Sequence, residues 1–93
     1  MEFDWDDANI GHIARHRVEP AEVEQIFMGE QFLSIDAYER NGELRYAIAG
    51  VTSKGRVLFI VYTRKEEMIR VATAHESRKY RRFFGEEGTK DGQ

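Results

Sequence analysis

Two histidines and two arginines fall within Trp5-Asp6-Asp7-Ala8-Asn9-Ile10-Gly11-His12-Ile13-Ala14-Arg15-His16-Arg17-Val18, a segment of helix length. Residues three and four apart share a helix face, so His12, Arg15 and His16 would project together while Ile10, Ile13 and Ala14 cover the core side. Such a surface suits an anion or a moving proton, because imidazole titrates near neutral pH and guanidinium grips phosphate. The same spacing also arises in an ordinary amphipathic helix whose histidines are partly buried polar side chains. A zinc site would need a third ligand, from His75 or a carboxylate, and the helix lacks the internal glutamate of the metalloprotease pattern. No metal and no other cofactor is expected.

A second group of candidates lies in the other half of the chain. Arg56 and Arg64 bracket the apolar run Val57 to Tyr62, and Arg70 stands among small and aliphatic neighbours. An arginine in such a place either solvates a sheet edge or stabilises charge developing on a phosphate. His75 follows the last strand signal, where a side chain carried by a rigid sheet can reach solvent and act as acid or base. The run Arg78, Lys79, Arg81 and Arg82 is a solvated face or a phosphate-contact surface. Tyr46 and Tyr62 read as sheet-face aromatics.

The elements that must carry these groups follow from patterning. Glu2 to Trp5 alternates and reads as a short strand, and Asp6 is a good N-cap for a helix running to about His16. Pro20 starts a second helix whose stripe is Val23, Ile26 and Phe27, with Gly29 ending it. Four strand signals follow: a weak one over 31–36, then 44–52 after the Asn41-Gly42 turn, 56–63 after Lys54-Gly55, and 68–74 after Lys65-Glu66-Glu67. The third is apolar on both faces and should be central. Alternation in the last places Ile69, Val71 and Thr73 on one face and Arg70, Ala72 and Ala74 on the other. A basic helix is expected from about Glu76 to Phe84. The fold class is therefore α+β, with two N-terminal helices, a four-stranded antiparallel sheet plus the short N-terminal strand, and a C-terminal basic helix.

Ninety-three residues suffice for one small domain, expected over residues 1–84, with an acidic, glycine-punctuated tail over 85–93 expected to be disordered. The chain has no cysteine, which removes disulfide and thiolate chemistry. No signal or membrane segment is apparent, so a soluble protein of the cytoplasm is expected. The net charge of −3 hides a strong asymmetry. Residues 1–43 hold 3 basic and 11 acidic side chains, and residues 44–82 hold 10 basic and 3 acidic. That split suits a polyanion on the C-terminal half and a basic partner on the N-terminal half.

Taken in order, Trp5-Asp6, Asn9, His12-Ile13, Arg15-His16, Val18, Arg45-Tyr46, Gly50, Thr52, Gly55-Arg56, Val61-Tyr62-Thr63, Ile69-Arg70 and Thr73-Ala74, followed by the basic segment, resemble the BrnT family over roughly residues 3–84. These are small bacterial ribonuclease toxins of the RelE-like superfamily. The resemblance implies an antiparallel sheet flanked by helices, RNA cleavage without metal, and neutralisation by an antitoxin with a ribbon-helix-helix DNA-binding domain. The family's basic-residue-then-histidine pair falls on Arg15-His16, and its sheet arginines fall on Arg56 and Arg70. His75 stands where the family usually has arginine, Arg81 stands where a glutamate is common, and the first helix is one residue shorter.

The expected catalytic group is thus Arg15, His16, Arg56, Arg70 and His75, with His12, Arg64, Arg78, Lys79 and Arg82 contacting RNA. The expected partners are RNA and a cognate ribbon-helix-helix antitoxin, with DNA reached only through that antitoxin and no membrane involved. A non-catalytic RNA-binding or regulatory module with a drifted site is the alternative.

Overall fold

Asn41 and Gly42 both adopt positive φ, 54° and 79°, which is what a two-residue hairpin turn matched to strand twist requires. In the computed structural model, which describes residues 1–84, this turn joins β2 (Phe32–Arg40) to β3 (Glu43–Val51). Before them come β1 (Glu2–Phe3), α1 (Asp7–Ala14) and α2 (Pro20–Met28). After them come β4 (Val57–Lys65), β5 (Met68–Glu76) and a short 3-10 turn over Arg81–Phe83. The sheet order is β1-β5-β4-β3-β2, which makes β4 central, as its two apolar faces demand.

The sheet differs from expectation at its edge. β1 pairs with β5 in parallel, Glu2 with Met68 and Phe3 with Ile69, so the sheet is five-stranded and mixed. Parallel pairing needs a long crossover, and here everything from α1 to β4 supplies it. β2 is also longer than its weak signal suggested, because the Asn41-Gly42 turn fixes its register against β3 along its whole length.

One face of the sheet is covered by helices. Ile13, Val18, Val23 and Ile26 pack there on Ile48, Leu58, Ile60, Ile69, Val71 and Ala74. Phe3, Trp5, Phe27 and Tyr62 extend this cluster, and Tyr46 stacks on Tyr62 with ring centres 5.4 Å apart. α2 approaches β3 so closely that a Cβ on Gly50 would lie 2.4 Å from the Ile26 side chain. The core side of α1 is Asn9 and Ile13, whereas Ile10 is exposed. The expected trio of Ile10, Ile13 and Ala14 fails because α1 lies across the β5 edge, where Asn9 can donate to the main-chain carbonyls of Asp4 and Val71.

α1 stops at Ala14, two residues early, and the chain leaves it through Arg17 at φ 62°. Val18 N–H reaches back to the Ile13 carbonyl and Arg17 N–H to that of Ala14, while Val18 and Ile13 meet in the core. This is a Schellman closure with arginine in the position that glycine usually takes.

The second face carries Ala49, Val57 and, against them, Leu33, Ile35, Val51, Tyr80 and Phe84. A register shift between Val61 and Tyr62 leaves Ala72 unpaired, and this bulge reverses the alternation that the sequence suggested. Ala74 therefore joins Ile69 and Val71 under the helices, while Arg70, Thr73 and His75 belong to the second face.

The C-terminal basic helix is not present. β5 continues through His75 and Glu76, pairing with Phe59 and Leu58, and Ser77 N–H bonds to the Val57 carbonyl. Only Arg81–Phe83 turns helically, because the chain folds back to set Tyr80 on Phe59 and to bury Phe84. The tail expected to be disordered, residues 85–93, lies outside the described residues.

Candidate functional site

Asp6 caps α1 by accepting from Asn9 N–H, and the Asn9 side chain accepts from Asp6 N–H in return. This reciprocal cap fixes where the helix starts and hence where His12 and His16 emerge. Asn9 then donates to Asp4 O at 3.0 Å and to Val71 O at 3.2 Å, so the same residue fastens the helix to β5.

That docking brings three histidines into a row. His12 Nε2 lies 3.1 Å from Thr73 Oγ1. The rings of His12 and His16 are 5.7 Å apart, and those of His16 and His75 are 5.8 Å apart. His75 Nδ1 is 3.1 Å from the Glu76 carbonyl oxygen. A carbonyl can only accept, so Nδ1 carries the hydrogen and Nε2 of the neutral ring holds the lone pair. His12 and His75 are half-buried and His16 is exposed.

Rings continue beyond His75. Phe59, its cross-strand partner, is 5.5 Å away, Tyr80 stacks on Phe59 at 5.9 Å, and Phe83 follows at 6.2 Å. Lys79 and Arg82 stand over the Tyr80 and Phe83 rings at 5.4 and 5.3 Å.

Arg70 lines a shallow pocket of about 250 Å3 with Ala8, Asn9, His12, Val71 and Ala72. Its guanidinium is 3.3 Å from Asp4 Oδ2 and 3.1 Å from Asp6 Oδ2. The hydrogen bond from Arg70, with the Asn9 N–H beside it, holds the Asp6 carboxyl below the usual carboxylate range. The same pair raises Arg70 above its ordinary value, Asp6 contributing most.

The remaining candidates lie elsewhere. Arg56 is on the helix side, with Nη1 at 2.9 and 2.7 Å from the two Glu22 oxygens, 3.1 Å from Arg17 O, and Nη2 at 3.4 Å from Glu76. The Glu22 bond is the main reason its affinity for protons is raised. Arg17 and Glu76, which Arg56 holds, directly follow His16 and His75 in the chain. Arg64 lines a cleft at the far end of the sheet with Thr63, Lys65 and Arg70. Arg15 and Arg78 are exposed, in the turns that follow α1 and β5.

Sequence reasoning missed Thr73, which anchors His12, and Phe59 and Tyr80, which extend the row. It also passed over Arg45, which alternation places opposite Tyr46 on the second face, and whose Nε is buried without a hydrogen-bond partner among the described residues. None of these had a local signal: plain pairing from the Lys65-Glu66-Glu67 turn sets Phe59 opposite Ala74, and only the bulge at Ala72 brings it opposite His75.

The histidines form a line rather than a convergent cage, and among the described residues no group of three His, Cys, Asp or Glu side chains has the arrangement of a metal site. No helix there is long and apolar enough to cross a membrane. The row can therefore offer proton acceptors and donors side by side, with Arg70 beside its His12 end. A family model described as "Ribonuclease toxin, BrnT, of type II toxin-antitoxin system" matches residues 5–80. No curated protein matches the chain.

Proposed function

Because this chain belongs to the BrnT family of ribonuclease toxins of type II toxin-antitoxin systems, we propose that it cleaves RNA without a metal ion, using the line His12, His16 and His75 together with Arg70. The observation that supports this most is the 5.8 Å approach of His16, in the turn after α1, to His75 on β5, which sets a second imidazole beside one whose tautomer is fixed.

The chemistry needs only groups of these kinds. The 2′-hydroxyl beside the scissile phosphate is the nucleophile, so its proton must be taken as the O2′–P bond forms. The P–O5′ bond breaks, and the departing oxygen must receive a proton. His75 Nε2 is the proton acceptor in this reading, and His16 is the donor. Arg70 stabilises the charge that gathers on the pentacoordinate phosphorus. Arg15 lies beside His16 and serves the same phosphate, and Arg56 sets the α2 side of the β3–β4 loop through Glu22. His12, Arg64, Arg78, Lys79 and Arg82 are assigned to RNA binding. The products are a 2′,3′-cyclic phosphate and a free 5′-hydroxyl.

The partner in this reading is a ribbon-helix-helix antitoxin, met in the cytoplasm, whose basic segments lie against the acidic residues 1–43 and cover the second face. DNA is reached only through that partner.

One observation favours a second reading, a non-catalytic RNA-binding or regulatory module. Both sheet arginines are occupied by carboxylates, Arg70 by Asp4 and Asp6 and Arg56 by Glu22. Purified protein incubated with single-stranded RNA in excess chelator separates the two. A 2′,3′-cyclic phosphate end supports the nuclease. Intact RNA that is nevertheless bound supports the module, and cleavage only after divalent metal is restored overturns the mechanism.

A further inference from the structure

Phe83 is an unusual residue to leave in water. Its ring is 54% exposed, whereas Phe84 beside it is 7% exposed and anchors the C-terminal turn to the second face. Packing thus accounts for Phe84 and not for Phe83. Yet Phe83 does not stand alone, since it ends the ring series that runs from His75 through Phe59 and Tyr80 in steps of 5.5, 5.9 and 6.2 Å. A cation accompanies each of the last two rings, Lys79 over Tyr80 and Arg82 over Phe83.

An exposed ring that follows a half-buried one, next to cations and continuous with a row of titratable groups, is what a single strand of nucleic acid needs: a π-face for a base and positive charge for phosphates. We propose that Tyr80 and Phe83 form a base-stacking track for single-stranded RNA, with Lys79 and Arg82 meeting the phosphates, so that a base near the scissile bond, but not at it, rests on Phe83. This rests on the RNA-cleavage reading above and adds to it the place where a flanking nucleotide is held. Recognition there is by stacking, so the track selects single strands over duplexes and tolerates many sequences.

The protein is the full chain, and the probe is a fluorescein-labelled single-stranded RNA carrying 2′-O-methyl groups, which blocks the nucleophile and leaves binding intact. Stacking is worth roughly 1–3 kcal/mol per base, so Phe83→Ala should weaken binding by about 5- to 150-fold. The same variant should lower kcat/KM on cleavable RNA, mostly through KM, and Phe83→Trp should restore both. Met28→Ala, at an exposed apolar site on α2, should bind as wild type. Because Phe83 is more than half exposed, thermal unfolding of Phe83→Ala should match wild type, which separates a lost contact from a lost fold. Equal RNA affinity for wild type and Phe83→Ala, with cleavage intact, overturns the track alone. So does a loss confined to binding of the antitoxin, which would make the patch a protein contact. Should wild type bind the 2′-O-methyl probe in a Phe83-dependent way yet leave the unmodified RNA of the same sequence intact, the track stands and the nuclease reading falls.

Discussion

The Asn9 side-chain nitrogen donates to the Val71 carbonyl at 3.2 Å, joining the first turn of α1 to a strand 62 residues further along. β1 covers β5 only at Met68 and Ile69, so this carbonyl on the sheet edge has no strand to pair with and takes a side chain instead. The same amide serves Asp4 O, and Asn9 is 4% exposed.

Asn9→Ala should therefore destabilise the protein by about 2–4 kcal/mol, from two hydrogen bonds, one of them fully buried, and a helix cap lost together. Asn9→Asp should be no better, because a carboxylate cannot donate. Urea unfolding of both variants checks this, and a loss under 1 kcal/mol for Asn9→Ala would show that the edge is held by packing alone.

The Asp6–Arg70 pair gives a pH dependence with a definite sign. Asp6 has a folded pKa below its unfolded value, so its contribution is complete above the unfolded value, near pH 4. It is lost as pH falls through the folded value beneath that. Asp6→Asn keeps an oxygen for the Asn9 N–H and removes the charge. Its melting temperature should lie below wild type at neutral pH and converge with it in strong acid. Parallel curves across the acid range would remove the ion pair from the account.

On catalysis, Arg70→Ala should lose roughly 2–4 kcal/mol of transition-state stabilisation, and Arg70→Lys should recover part of it, since one charge remains but the fork to Asp4 and Asp6 does not. His75→Ala should cleave far more slowly at unchanged stability. Rates are measured with chelator present. If Arg70→Ala and His75→Ala both cleave at wild-type rates, the mechanism is wrong.

Gly50→Ala should cost about 1–3 kcal/mol, because the added carbon would meet Ile26 and the helix must yield. A Gly50→Ala, Ile26→Leu double variant, which removes the Cγ2 branch that the added carbon would meet, should recover part of that loss. Full additivity would place the strain elsewhere.

Arg82→Ala should weaken RNA binding and reduce the slope of log affinity against log salt by about 1. An unchanged slope would mean that Arg82 touches no phosphate.

How far the sequence discloses this molecule depends on the range of the interaction. The Asn41-Gly42 turn and the Asp6 cap are local and can be read directly. β4 declares its central place through its own composition. The bulge at Ala72 carries no glycine or proline to announce it, and so Thr73 and Ala74 were assigned to the wrong faces. Arg78 to Arg82 have good helix propensity, which the stacking of Tyr80 on Phe59 and the burial of Phe84 override. The spacing of His12 and His16 is legible because it is local, spanning the last turn of α1 and its closure, whereas the arrival of His75 depends on β5 docking under α1. Arg56 looked available for phosphate only because Glu22, 34 residues away, could not be foreseen as its partner.

The parallel clasp of β1 on β5 also orders events in time. His12 and Thr73 are separated by 61 residues, and β1 finds its partner only in the last strand. Pairings so distant form late, after the local hairpins of β2 to β4. During synthesis the N-terminal segment emerges first and waits, with Asn9, His12 and His16 unplaced, until β5 has followed. An unfinished chain thus holds every part of the α1 surface and none of the site. The row of rings is therefore completed only once β5 has been made and has met α1.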